Sequence, residues 1–159
     1  IAIALAKEFS HAQCHAVDVS AEALSVARSN AYRHGLGQKI VLHECDMQKS
    51  WEDFPEDFFD IIISNPPYIP SDHMKNLPKD VQYEPDVALD GGADGLDHFR
   101  DFAYHACDIL RPSGVLVCEF WDGQDREILE MFDQNWSLEF FQDLSGINRF
   151  FMAEYCPRN

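Results

Sequence analysis

Positive charge is scarce in this sequence. It holds 12 lysines and arginines against 28 aspartates and glutamates, a formal net charge of −16 over 159 residues. A surface of that sign repels a phosphate backbone, so nucleic acid is disfavoured as a partner. It leaves open a small molecule or a protein surface, basic ones included, and also the simpler reading that acidity serves solubility. No apolar run approaches the ~20 residues of a membrane span, and no stretch has the layout of a signal peptide. The five cysteines (14, 45, 107, 118 and 156) are odd in number and lack a C-x-x-C spacing. They read as buried, reduced thiols of an intracellular protein. The seven histidines show no H-E-x-x-H spacing. His11, Cys14 and His15 are neighbours in sequence only, so no metal is assigned. An initiator methionine is also missing. The chain opens on Ile1-Ala2-Ile3-Ala4-Leu5-Ala6, helical in composition and with no N-cap before it.

What is present suffices for one domain with a hydrophobic core, since 46% of residues are hydrophobic. The most strand-like run is Phe58-Phe59-Asp60-Ile61-Ile62-Ile63, and it reads as a buried strand. Ser64-Asn65-Pro66-Pro67-Tyr68 follows it. Two prolines end the strand and fix the turn, so Asn65 and Tyr68 are held at the strand's carboxyl end. Open α/β sheets place their ligands there. A planar NH2 group is a poor nucleophile because its lone pair is delocalised. A site that alkylates it should hold both N–H bonds with acceptors. The Asn65 side-chain oxygen and the Pro66 carbonyl can be those acceptors, and the Tyr68 ring can pack on the planar group. The bland alternative is an ordinary strand-ending proline turn.

Around this stretch the chain alternates. A helix is expected over 1–9, then a strand at Cys14–Val19. A helix capped by Ser20 follows, with Leu24, Ala27 and Ala31 on its apolar face and Gly35 at its end. A strand at Lys39–Cys45 comes next, and 51–55 reads as a surface loop or single turn. Alternation of this kind indicates a parallel sheet with right-handed crossovers. Asp18, Asp46 and Asn65 then each end a strand, and in one parallel sheet their side chains would line one cleft. Residues 69–94 form a long irregular stretch, and a loop of that length is either functional or disordered. Asp90, Asp94 and Gly95 have a faint likeness to a calcium loop, but Gly92 falls on a ligand position and Asp101 replaces the closing glutamate. A helix is expected over Leu96–Leu110, ended by Pro112 and Gly114, and a strand over Val115–Phe120. A helix over Gln124–Gln134 packs through Ile128, Leu129 and Phe132. Ser137–Gln142 and Arg149–Tyr155 form a closing antiparallel pair.

Asn65-Pro66-Pro67-Tyr68, with Tyr83-Glu84-Pro85, Ala88-Leu89 and Gly91-Gly92-Ala93-Asp94-Gly95-Leu96, resembles the HemK/PrmC family over nearly the whole chain. Asp143-Leu144-Ser145-Gly146 before Arg149-Phe150 is similar to that family's end. Members are S-adenosylmethionine-dependent methyltransferases that modify a glutamine side chain of peptide-chain release factors. The resemblance implies a Rossmann-like, seven-stranded α/β methyltransferase sheet with a terminal antiparallel hairpin. It also implies that Asp18 holds the cofactor's ribose, that Asp46 and Met47 lie at its adenine, and that Asn65 adjoins both cofactor and substrate. Asn65, Pro66 and Tyr68 would be the catalytic grip on the amide, with Pro67 and Glu84 in the substrate site. The partner would be a release factor, met by a monomeric cytoplasmic or organellar enzyme without membrane or nucleic acid. The family's first strand and glycine-rich cofactor loop belong just upstream of Ile1. The expectation is therefore an amino-terminally truncated catalytic domain over 1–159. Two other enzyme readings compete. Adenine amino-methylation shares Asn-Pro-Pro-Tyr but conflicts with the charge. A nicotinamide dehydrogenase would use Asp18 but leaves Asn65–Tyr68 unexplained. A non-catalytic remnant of the fold is the reading from another class.

Overall fold

The computed structural model describes residues 1–157. The chain divides into two compact units, Ile1–Glu52 and a second that begins at Asp53.

The first unit runs α1 (Ala2–Glu8), β1 (Cys14–Asp18), α2 (Ala21–Arg33) and β2 (Ile40–Glu44). The two strands pair in parallel, from Cys14 opposite Ile40 to Asp18 opposite Glu44. The expected cap is present: the Ser20 hydroxyl accepts from the Ala23 N–H at 3.1 Å. Gly35 ends α2 with φ +70°, a left-handed conformation that costs glycine little. Strand alternation sends Cys14, Ala16, Ile40 and Leu42 into a core with Ala6 and Ala31 from the helices. His15 and His43 take the other face, stacked, with Nδ1 of one 2.9 Å from Nε2 of the other. Cys14 and His15 are thus separated by the strand itself. Burial, then the neighbouring His43, lowers the His15 pKa. Trp51 is buried, which corrects the surface reading of 51–55; the rest of its short 3-10 turn, Glu52 and Asp53, is exposed.

The second unit contains β3 (Phe59–Ser64), α3 (Asp97–Ile109), β4 (Leu110–Glu119), α4 (Asp125–Met131), β5 (Trp136–Gln142) and β6 (Asn148–Tyr155). Its sheet has the order β3-β4-β6-β5. β3 is parallel to β4, and β6 runs antiparallel to both its neighbours. The closing antiparallel pair stands as expected. Phe99, Phe120, Leu116, Ile128 and Phe151 are fully buried between this sheet and its helices.

Five expectations need correction. The strands do not share one parallel sheet: β1 and β2 form one and β3 to β6 another among the described residues, so the strand ends at Asp18 and Asp46 belong to one sheet and the end at Asn65 to the other. β3 is half-exposed, with Ile61 at 52%, because it is an edge strand paired on one side only. Pro112 and Gly114 do not separate α3 from β4. The strand starts at Leu110, directly after the helix, and residues 111–114 bulge opposite Asp60, because Phe59 pairs with Leu110 and Ile61 with Val115. A bulge tolerates proline, and an Arg111–Asp60 ion pair at 2.7 Å spans it. Leu129 is 53% exposed, since α4 ends at Met131 and presents only Ile128 to the core. Of the cysteines only Cys118 is buried; Cys156 is exposed and the others are intermediate, all as free thiols.

Candidate active site

The two parallel strands of the first unit end on the same edge. Asp18 closes β1 and Asp46 follows β2, and the backbone links them through Cys45 N–H to the Asp18 carbonyl at 3.2 Å. Asp18 is exposed, and its Oδ1 accepts from the Ser20 N–H at 2.9 Å. That bond fixes the carboxylate just past the strand. Asp46 is engaged twice. Oδ1 caps a short 3-10 turn over Met47–Lys49 through the Gln48 N–H, and Oδ2 pairs with Lys49 Nζ at 2.7 Å. Met47 is half-buried on that turn.

In the second unit, Asn65, Pro66, Pro67, Tyr68 and Glu84 line one cavity of about 400 Å³. Every residue expected at the substrate is therefore brought together. Asn65 is exposed, and its side-chain amide makes no hydrogen bond to the described residues. The carbonyl of the buried Pro66 accepts no backbone N–H. Neither oxygen is spent on a hydrogen bond within the described residues, and both residues line the cavity. Cys118 pairs with Ser64, so Glu119, the last residue of β4, stands level with Asn65, the residue after β3. The Tyr68 hydroxyl donates to Glu119 Oε1 at 3.1 Å. Burial, then the charge of Glu119, pushes the Tyr68 pKa up to about 12. Tyr68 is a neutral phenol at physiological pH and offers a ring face rather than a base. Because that pKa lies above the ordinary 10, the unfolded chain ionises first as pH rises. Tyr68's contribution to stability is whole below pH 10 and lost through about pH 12. Tyr68→Phe should reduce the alkaline loss of stability over that interval, measured by denaturant unfolding.

The long stretch after Tyr68 is built to close this cavity. Ile69 bridges to Asp90: the Ile69 N–H donates to the Leu89 carbonyl at 3.0 Å and the Gly91 N–H returns to the Ile69 carbonyl at 2.9 Å. A Cβ on Gly91 would lie 2.8 Å from both the Pro67 oxygen and the Tyr68 Cα. One on Gly95, where φ is +77°, would fall on the Tyr68 carbonyl. The glycines are there because the loop packs backbone to backbone against the Asn65–Tyr68 turn. Gly95→Ala should cost about 1–3 kcal/mol by overpacking a left-handed position, read as a lowered unfolding midpoint. An unchanged midpoint would contradict this packing. Of the acids in this loop, Asp90 accepts from Ser71 Oγ at 2.7 Å and Asp94 pairs with Arg100, which holds the Asp94 carboxyl below its usual pKa.

Sequence reading assigned no role at this site to Trp121, Gln124, Arg149 or the Glu119–Tyr68 contact. Trp121 lies edge-on to Tyr68, ring centres 6.3 Å apart. Arg149 lines the cavity, its Nε 3.4 Å from Asp143 Oδ2. A signal did exist. The strand-end argument used for Asn65 applies equally to the parallel β4, whose end leads to Glu119 and Trp121.

Comparison with known proteins extends the geometry. A family model described as a methyltransferase domain matches residues 1–144. The release factor glutamine methyltransferase of Geobacter sulfurreducens is 41% identical over 152 residues, covering 94% of this chain and 52% of that protein. The ribosomal protein uL3 glutamine methyltransferase of Neisseria meningitidis is 40% identical over 130 residues, covering 82% and 41%. The chain thus spans about half the length of the curated relatives it matches. Among solved structures, TrmN from Thermus thermophilus superposes with a TM-score of 0.69 at 22% identity, over 98% of this chain and 40% of that one. A methyltransferase from Pyrococcus furiosus gives 0.67 at 20% identity, over 95% and 66%. The α/β architecture with its terminal antiparallel hairpin is the Rossmann-like methyltransferase fold, and the chain belongs to the methyltransferase-domain family.

Proposed function

We propose that this chain is catalytic domain of an S-adenosylmethionine-dependent enzyme that methylates the side-chain amide nitrogen of a glutamine in a protein, a peptide-chain release factor first among candidates. The observation that carries the reading is the pair of available acceptors, Asn65 Oδ1 and the Pro66 carbonyl, beside the Tyr68 ring in one cavity. Two acceptors and a flat apolar face suit a carboxamide NH2. Relatives bearing glutamine methyltransferase names support the same chemistry.

The residues toward the cofactor fit it. Asp18 presents an exposed carboxylate at a strand end, a donor-hungry group of the kind that accepts from a ribose diol. Met47 offers apolar surface for a purine. Asp46 fits less freely, because Lys49 already pairs with it. When bound, S-adenosylmethionine supplies an electrophilic methyl group. The chain's own part is to hold the amide. Asn65 and Pro66 fix both N–H bonds, so the nitrogen keeps one orientation. Those acceptors strengthen as the nitrogen gains positive charge.

The net charge of −16 supports a protein over a nucleic-acid substrate. Unpaired cysteines support a reducing compartment such as the cytoplasm. We read the enzyme as monomeric. The test uses the full-length protein with methyl-labelled S-adenosylmethionine and, in parallel, a release factor, ribosomal protein uL3, and adenine-containing DNA and RNA. Label on a glutamine amide of the release factor, located by mass spectrometry, is the expected result. Label confined to uL3 would reassign the substrate, and label on adenine alone would overturn the reading.

A further inference from the structure

Three separate segments meet at one side chain that bonds to the backbone of the cavity-lining Tyr68 and Trp121. Gln124 accepts from the Trp121 N–H at 2.9 Å through Oε1. Its Nε2 donates to the Tyr68 carbonyl at 3.1 Å and to the Gly95 carbonyl at 3.2 Å. The carboxamide thus joins the turn after β3, the glycine loop and the segment after β4, from positions 56 and 29 residues away. A carboxamide alone among ordinary side chains offers an acceptor and two donors in one plane. The Tyr68 carbonyl that it holds is the same group on which Gly95 packs.

We propose that Gln124 is the positioning residue of this cavity: by tying the Tyr68 carbonyl to Gly95 and Trp121, it sets where Asn65 and Tyr68 stand toward the substrate amide. The inference rests on the proposed methylation. Gln124 touches backbone and not the reacting atoms. Its effect passes through the turn, where a displacement near 1 Å is worth up to about a hundredfold in rate.

Two variants of the full-length protein test it. Gln124→Glu keeps the size and the acceptor for Trp121 but sets a carboxylate against two carbonyl oxygens. Its kcat on the glutamine substrate should fall ten- to a hundredfold, with KM for S-adenosylmethionine within about twofold of wild type. As pH falls and that carboxyl regains a donor, its kcat relative to wild type should recover. A purely structural contribution would lower the melting temperature without this pH-dependent recovery. Gln124→Ala is read by NMR on ring-labelled tyrosine, with Tyr68 assigned by Tyr68→Phe. The Tyr68 resonances should move toward those of an exposed tyrosine while Tyr104 and Tyr32 stay in place. If the Tyr68 ring does not move, or the Glu variant keeps wild-type kcat, the proposal fails. If wild type methylates no glutamine yet Tyr68 moves, the functional reading fails and the positioning of the turn by Gln124 stands.

Discussion

Asn65→Ala in the full-length protein will lower single-turnover methyl transfer by roughly a hundred- to a thousandfold while leaving cofactor affinity nearly unchanged. Asn65 lines the cavity, and its side chain is not engaged by the described residues, so the substitution removes no internal bond. What it removes is one of the two acceptors proposed for the substrate's N–H bonds. The freed amide can rotate, and one N–H is left without a partner. That N–H grows more acidic as the nitrogen turns positive, so the loss is greater in the transition state than in the ground state. One such contact is worth about 3–4 kcal/mol. Asp18→Ala should behave in the opposite way and weaken the cofactor first. The measurement pairs a rapid-quench transfer assay with cofactor titration for each variant. Near-normal transfer by Asn65→Ala at saturating cofactor would reduce Asn65 to a turn residue.

Phe151→Ala will be the most damaging single truncation in the second unit. The ring is fully buried on β6, between neighbours in the sheet and residues from the helices. It meets Phe99 of α3 at 6.1 Å, Phe132 at 5.6 Å, Phe120 at 6.2 Å and Phe140 of β5 at 6.2 Å between ring centres. Removing it leaves a cavity that four rigid rings cannot collapse to fill, at a cost of about 3–5 kcal/mol. Against a typical stability of about 5–15 kcal/mol, that loss brings the unit near unfolding at 37 °C. Phe150, one residue away, is 38% exposed and faces the other side of the strand. Phe150→Ala should cost far less. Urea unfolding of the two variants makes the comparison, and equal losses would refute the alternation.

The parts legible in the sequence were those decided by neighbours along the chain. Cys14–Asp18 and Ile40–Glu44 fall within a residue or so of their expected bounds, because each run is apolar and stops near an acidic residue. Ser20 was legible as a cap because capping needs only the next three residues. The gathering of Asn65, Pro66 and Tyr68 in one cavity was legible because two prolines leave the backbone little choice. Gln124 was not, since its role depends on a carbonyl 56 residues away, which no local pattern encodes. Ile61 misled for a related reason. An apolar run shows that a strand can be buried on both faces, whereas actual exposure depends on what pairs beside it. Pro112 and Gly114 misled because both residues punctuate a helix end and a bulge alike.

The bridge between Ile69 and Asp90 has a consequence for how such a site can diversify. The residues between those two positions form a closed loop whose ends are pinned by backbone hydrogen bonds. Leu77, Val81, Glu84 and Ala88, which it carries, all face the cavity. Lengthening a closed loop costs little, about 0.6 kcal/mol for each doubling. The wall that meets the substrate can therefore be exchanged as a cassette, longer or shorter, while Asn65 to Tyr68 and the sheet beneath stay fixed. Under the proposed function, selectivity among protein partners and the chemistry of transfer are then separately evolvable, and separately open to engineering, within one fold.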